Sequence, residues 1–199
     1  MKGFVYDCEI IRCIPKPGQP NNPKYEYCKG WDDFPNMGIS VVAVIDIETD
    51  AMNTFTEDEF GDFAELWEEL PISEQIVGLQ IVGFNSKQFH DKLLVEYGFV
   101  DEGITTFDLA QEIRKAVYER DWDSQPNIDS YSLTSLCGAN GQHYMPGKVM
   151  SAMLWQDGKH DEVISRCVNN VTATRNLLFK FLNGDLVDPN TGKKLKYQG

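Results

Sequence analysis

The chain has 199 residues, with 31 acidic against 18 basic side chains and a formal net charge of −13. That balance excludes a broad nucleic-acid-binding surface, which needs clustered Lys and Arg, but not a cleft that admits one strand end or an acidic face that docks on a basic protein. No apolar run approaches a membrane span, and the N-terminus has no basic start, apolar stretch and small-residue cleavage site, so a soluble cytoplasmic protein with no membrane partner is expected. Residues 1–199 are expected to form a single domain with a sizeable core. The five cysteines, Cys8, Cys13, Cys28, Cys137 and Cys167, form no Cys-X-X-Cys pair and leave an odd one over, which predicts reduced thiols. A zinc site from Cys8, Cys13 and Cys28 with a histidine would need spacings that match no common zinc module.

In chain order, residues 3–11 are apolar, β-branched and aromatic, broken by two acids, and read as a buried strand. Side chains alternate along a strand, so Asp7 and Glu9 share one face while Tyr6, Cys8 and Ile10 share the other. Two carboxylates in an apolar strand repel each other and are costly to desolvate unless a cation or hydrogen-bond donors compensate, and a divalent metal is the simplest compensation. The plainer alternative is an edge strand with two solvated acids.

Residues 14–38 hold five of the nine prolines and read as a long irregular insertion, with Tyr25, Tyr27, Trp31 and Phe34 pinning it to the body. Residues 39–47 and about 54–56 read as two further strands of an antiparallel meander. Thr56 to Glu59 has the pattern of a capped helix start, followed by Phe60, Phe63, Ala64, Trp67 and Leu70 at helical spacing. Residues 76–84 read as a strand that passes through Asn85 or Ser86, as cap, into a helix. A helix over 107–118 turns Leu109, Ile113 and Val117 inward, and a short one over 130–136 is stopped by Gly138 or Gly141. The longest helix is predicted over 161–182, striped by Ile164, Cys167, Val171, Leu178 and Phe181 and ended by Gly184. Residues 186–197 read as a closing hairpin. Asp108 reads as a helix cap before a metal ligand, His143 and His160 as exposed, and Asp157, Asp161 and Glu162 as the first turn of the last helix.

These pieces, in this order, resemble the DEDD 3′-5′ exonuclease group of the ribonuclease H-like superfamily, its phage and viral members in particular. The group's first motif, Asp-X-Glu on the first strand, matches Asp7 and Glu9. Its second, a strand ending Gly-Phe-Asn before a helix that opens Phe-Asp, matches Gly83, Phe84, Asn85 and Phe89, with His90 in place of the aspartate. Its third, Tyr-Cys-X-X-Asp-Val on the last long helix, corresponds to residues 166–171, with Arg166 for the tyrosine and Asn170 for the aspartate. The resemblance implies an α/β fold in which a mixed sheet, three antiparallel strands then parallel ones, has helices on both faces.

It also implies metal-dependent phosphodiester hydrolysis at a single-stranded nucleic-acid end, DNA ahead of RNA. In that chemistry four carboxylates hold two Mg²⁺ or Mn²⁺ ions about 3.5–4 Å apart. By the resemblance, Asp7 and Glu9 are the metal ligands, His90, Arg166 and Asn170 complete the catalytic set, and Asn85 and Phe89 touch substrate. Two of the four acids are replaced. Each carboxylate within about 4 Å of a +2 ion supplies roughly 8 kcal/mol of gross attraction at an effective dielectric of about 20, so an intact Mg²⁺ pair is not expected and one ion or none remains. Asp91 supplies the missing acid in an alternative register, and Arg166 pairs with Asp7 and Glu9 at the metal position in another reading. Three functions follow: an exonuclease with an altered ligand set, a pseudo-nuclease that binds without cleaving, and an acidic interaction or inhibitor protein that uses the fold as a scaffold for a protein partner.

Overall fold

In the computed structural model, which describes residues 3–68, 81–100, 106–118, 131–144, 146–147 and 149–197, the sheet is built outward from β1 (Phe4–Ile10). On one side of β1 run β2 (Ile39–Asp46) and β3 (Met52–Phe55); on the other run β4 (Ile81–Gly83) and β5 (Phe107–Asp108). The first three strands are mutually antiparallel, and β1, β4 and β5 are parallel. This five-stranded mixed sheet, in the order β3-β2-β1-β4-β5, is compatible with a ribonuclease H-like fold. Asp7 is buried, at 8% exposure, so the alternative of two solvated acids on an edge strand does not apply.

Alternation along β1 and β2 feeds two apolar layers. Val5, Val41 and Ala43 pack on α3 (Leu109–Tyr118), α4 (Leu133–Ala139) and α6 (His160–Asn183) through Ile113, Leu136, Val171, Leu178 and Phe181. On the opposite face Phe4, Tyr6, Val42 and Val44 meet Phe63 of α1 (Phe60–Glu68) and Leu93 and Leu94 of α2 (His90–Glu96). Burying each such side chain contributes on the order of 1.5–3 kcal/mol. No helix among the described residues is long and apolar enough to cross a membrane.

Several boundaries differ from expectation for local reasons. Of the strand expected at 76–84, residues 76–80 lie outside the described residues and Ile81–Gly83 form β4. Asn85 takes a left-handed conformation (φ 55°) rather than a side-chain cap, and a short 3-10 turn separates it from α2. The α4 helix is capped by Ser132, whose hydroxyl accepts from the Ser135 amide at 3.2 Å, and it runs through Gly138 to stop before Gly141 (φ 67°). The α5 helix (Ser151–Gln156) was not expected, and Asp157 ends it rather than opening α6. The α6 helix closes on left-handed Gly184 (φ 74°), and β6 (Leu186–Val187) pairs with β7 (Lys194–Leu195) as the foreseen hairpin. All five cysteines are free thiols.

The proline-rich segment is fastened chiefly to α5. The Gln156 amide donates to the carbonyls of Ile11 (2.9 Å) and Glu26 (3.2 Å) and accepts from the Glu26 amide, while Tyr25 and Lys24 both reach Asp157. Trp31, expected to pin the segment, is 64% exposed.

The turn out of β4 leaves no room for a side chain at Gly83. A Cβ there would lie 2.6 Å from Ser86 Oγ and 3.2 Å from Tyr6 Cε1. Gly83→Ala is therefore expected to destabilise the fold by about 1–3 kcal/mol, read as a lower urea midpoint at an unchanged slope.

Candidate functional site

The β4 strand pairs with β1 only at Phe4–Ile81 and Val5–Val82 and then turns away. Beyond Val5, β1 is thus open on that side, and Asp7 and Glu9 emerge at the opening. A bulge between Glu9 and Ile10, with Ser40 as the extra residue on β2, adds a local bend of the kind that re-aims side chains.

Across the same face lies α6, and its Asn170 takes the central position. Asn170 Nδ2 donates to Asp7 Oδ2 at 2.9 Å and to Glu9 Oε1 at 3.4 Å. The Tyr144 hydroxyl donates to Asn170 Oδ1 at 2.8 Å, which fixes the carboxamide with its N–H groups toward the acids. One turn earlier on the helix, the Cys167 thiol donates to the Asp7 carbonyl at 3.3 Å. Arg166, at i−4 from Asn170, donates to the Val149 carbonyl at 2.5 Å and lies against Gly147, rather than pairing with Asp7 and Glu9 at the metal position. The shorter Asn170 side chain occupies that space instead. A cavity of about 240 Å³ opens here, lined by Glu9, Tyr144, Val149, Ser151, Arg166 and Asn170 among others.

His90 opens α2 and places Nδ1 3.4 Å from Asp7 Oδ1. Burial lowers its pKa, so the contact is with a neutral imidazole and is not an ion pair, and Nδ1 has no well-directed hydrogen-bond partner among the described residues. Asp91 instead accepts from the Tyr6 hydroxyl and from Thr106 Oγ1 at 2.5 Å. Tyr6 points to the opposite face of β1 from Asp7, so the register in which Asp91 supplies the missing acid is not found.

Asn85 is not brought to the acids. Its Oδ1 accepts from Arg114 at 3.3 Å and its amide donates to Asp108 Oδ1 at 2.9 Å. Asp108 also accepts from the Lys87 and Gln111 amides, as the cap of α3 and a brace for the turn after β4. Phe89 joins a ring cluster with Trp31 (5.8 Å between centroids), Phe34 (5.9 Å) and His90 (5.4 Å).

Electrostatically the cleft behaves as a proton trap. Burial raises both Asp7 and Glu9 to about 7; the Asn170 hydrogen bond pulls Asp7 back, and Ser151, His90 and Arg166 pull Glu9 back. Tyr144 is raised to about 12, chiefly by burial, and stays a phenol donor. Two-ion chemistry needs oxygen acceptors where Asn170 presents N–H donors. Among the described residues, no group of three His, Cys, Asp or Glu side chains is arranged to hold a metal. The donor set does not fit a pair of Mg²⁺ ions.

Sequence reasoning missed Tyr144 and Ser151. Both come from the segment between α4 and α6, distant in sequence from the three motifs, and carry no local signal; only the fold brings them to Asn170 and Glu9.

No family model and no curated protein matches the chain. Among solved structures it is similar to the family B DNA polymerase of the hyperthermophilic archaeon Pyrobaculum calidifontis, at 16% identity and a TM-score of 0.58. The match covers 96% of this chain and 26% of the polymerase chain, so the present chain spans about a quarter of that protein's length. At that identity the likeness is one of fold.

Proposed function

We propose that the chain is a 3′-5′ exonuclease-like protein that takes a single-stranded nucleic-acid end, DNA ahead of RNA, into the Asp7–Glu9 cleft and holds it, with hydrolysis strongly reduced or lost. The observation that carries this reading is the Asn170 carboxamide, which donates to both carboxylates where the nuclease pattern needs a fourth acid. The resemblance of the motifs and the fold shared with a DNA polymerase support nucleic acid as the ligand. The chain's own groups can hold a strand end without a metal. Arg166 offers donors to phosphate or hydroxyl oxygens, and a protonated carboxyl of the acid pair offers another. Whatever affinity for a single divalent ion survives on Asp7 and Glu9 favours Mn²⁺ over Mg²⁺, since the neighbouring donor is an imidazole.

The net charge of −13 favours a second reading, an acidic interaction protein that docks on a basic protein surface. Anisotropy with a labelled linear single strand and the same sequence circularised separates the two. End capture predicts that the linear strand binds at least about tenfold more tightly; equal binding removes the end-capture reading, and no binding to either strand favours the protein-partner reading.

A further inference from the structure

We propose that Trp31 is a stacking platform for a nucleobase of the strand whose end enters the acid cleft; this rests on the reading above and names the contact that carries its affinity. Among the described residues, the exposed large apolar side chains are Trp31 (64%) and Val149 (45%). Val149 lines the cavity beside Glu9 and Arg166. Trp31 lies outside that lining and is joined to the acid pair by a row of contacts, 5.8 Å to Phe89 and 5.4 Å from Phe89 to His90, whose Nδ1 is 3.4 Å from Asp7.

The indole is presented on a built turn rather than a loose loop tip. The Asp33 amide donates to the Gly30 carbonyl, the Asp33 carboxylate accepts from the Lys29 amide at 2.7 Å and from Asn36 Nδ2 at 2.8 Å, and Phe34 anchors the turn on Phe89. The Trp31 and Phe89 planes lie 75° apart, an edge-to-face contact that, with the exposure, leaves indole surface open to a flat ligand.

Charge and area decide what that ligand is. Protein partners need roughly 800 Å² per side with several bulky anchors, and the two isolated apolar side chains exposed among the described residues do not supply them. A base needs one ring face. With a net charge of −13 and Arg166 as the basic side chain lining the cleft among the described residues, release of counterions from phosphate contributes little. Stacking, which every base can do, is then the main source of affinity.

The test is fluorescence anisotropy with a single-stranded oligonucleotide and with the same strand made abasic at its three 3′-terminal positions, on the unaltered chain, Trp31→Ala and Trp31→Phe. Trp31→Ala is expected to bind the complete strand about tenfold more weakly, with Trp31→Phe recovering most of the loss and the urea midpoint unchanged. The abasic strand should bind the unaltered chain as weakly as the complete strand binds Trp31→Ala, with no further effect of the substitution. A salt slope of about −0.7, that of one phosphate contact, should be common to all three proteins. Unchanged affinity in Trp31→Ala, or an equal loss on the abasic strand, overturns the platform while leaving end capture intact. Failure of the unaltered chain to bind either strand overturns both.

Discussion

Replacing His90 and Asn170 together by aspartate is expected to raise affinity for Mg²⁺ and Mn²⁺ at least about a hundredfold and to bring metal-dependent shortening of a single strand. A hundredfold gain corresponds to about 2.7 kcal/mol. Each added carboxylate within about 4 Å of a divalent ion supplies roughly 8 kcal/mol of gross attraction at an effective dielectric of about 20, so the gain survives a large desolvation cost. Asn170→Asp also exchanges an N–H that points at Asp7 (2.9 Å) and Glu9 (3.4 Å) for an acceptor. His90→Asp places a second acceptor where an imidazole nitrogen now stands 3.4 Å from Asp7. Calorimetric titration of each ion reads the affinity. The same weak binding in the double variant as in the unaltered chain would mean that something other than the missing acids limits the site.

Without metal, the unaltered fold is expected to become more stable as pH falls from 8 to 5, by on the order of 2 kcal/mol. The sign follows from the acid pair. Burial lifts Asp7 and Glu9 to about 7 in the folded chain, against ordinary values of 3.8 and 4.5. Above pH 7 both are ionised in both states, and the folded chain bears the cost of two like charges side by side, Asp7 buried and Glu9 half-buried. Between about 7 and 4 the folded chain binds protons on the acid pair that the unfolded chain does not, so stability rises as pH falls; His90, held down by burial, takes up its proton only in the unfolded chain and offsets part of that gain. Asp7→Asn should flatten most of this dependence, since it removes one charge and relieves the repulsion that raises Glu9. Urea unfolding at pH 5, 6, 7 and 8 checks it. A flat profile in the unaltered chain would contradict the burial of the pair.

How far the sequence reaches is clear at particular residues. Asp7 and Glu9 stood out because a strand buried on both faces is otherwise apolar, so two acids at i and i+2 are visible against it. The α6 helix was legible to within a residue at each end, its stripe being about five turns long and its stop a left-handed glycine. The α5 helix was not legible, because six residues span too few turns to show a period. Neighbouring helical residues point about 100° apart, so a sequence alone leaves His90 and Asp91 interchangeable. What separates them is a pair of distant partners, Tyr6 and Thr106, that claim Asp91. Asn85 matches its motif, but its left-handed backbone and its bond to Arg114 make it a brace for the turn after β4. Trp31 was expected to pin the insertion because large aromatics usually bury; Gln156, Tyr25 and Phe34 do that instead and leave the indole in solvent.

The most direct test of the account is a shortening assay with Mg²⁺ and Mn²⁺ on a labelled single strand, run beside a binding measurement on the same samples and on Asp7→Asn. The account predicts a strand that is bound but not shortened by the unaltered chain. Metal-dependent shortening by the unaltered chain, abolished in Asp7→Asn, would contradict it and show that two carboxylates with His90 and Asn170 are enough for hydrolysis.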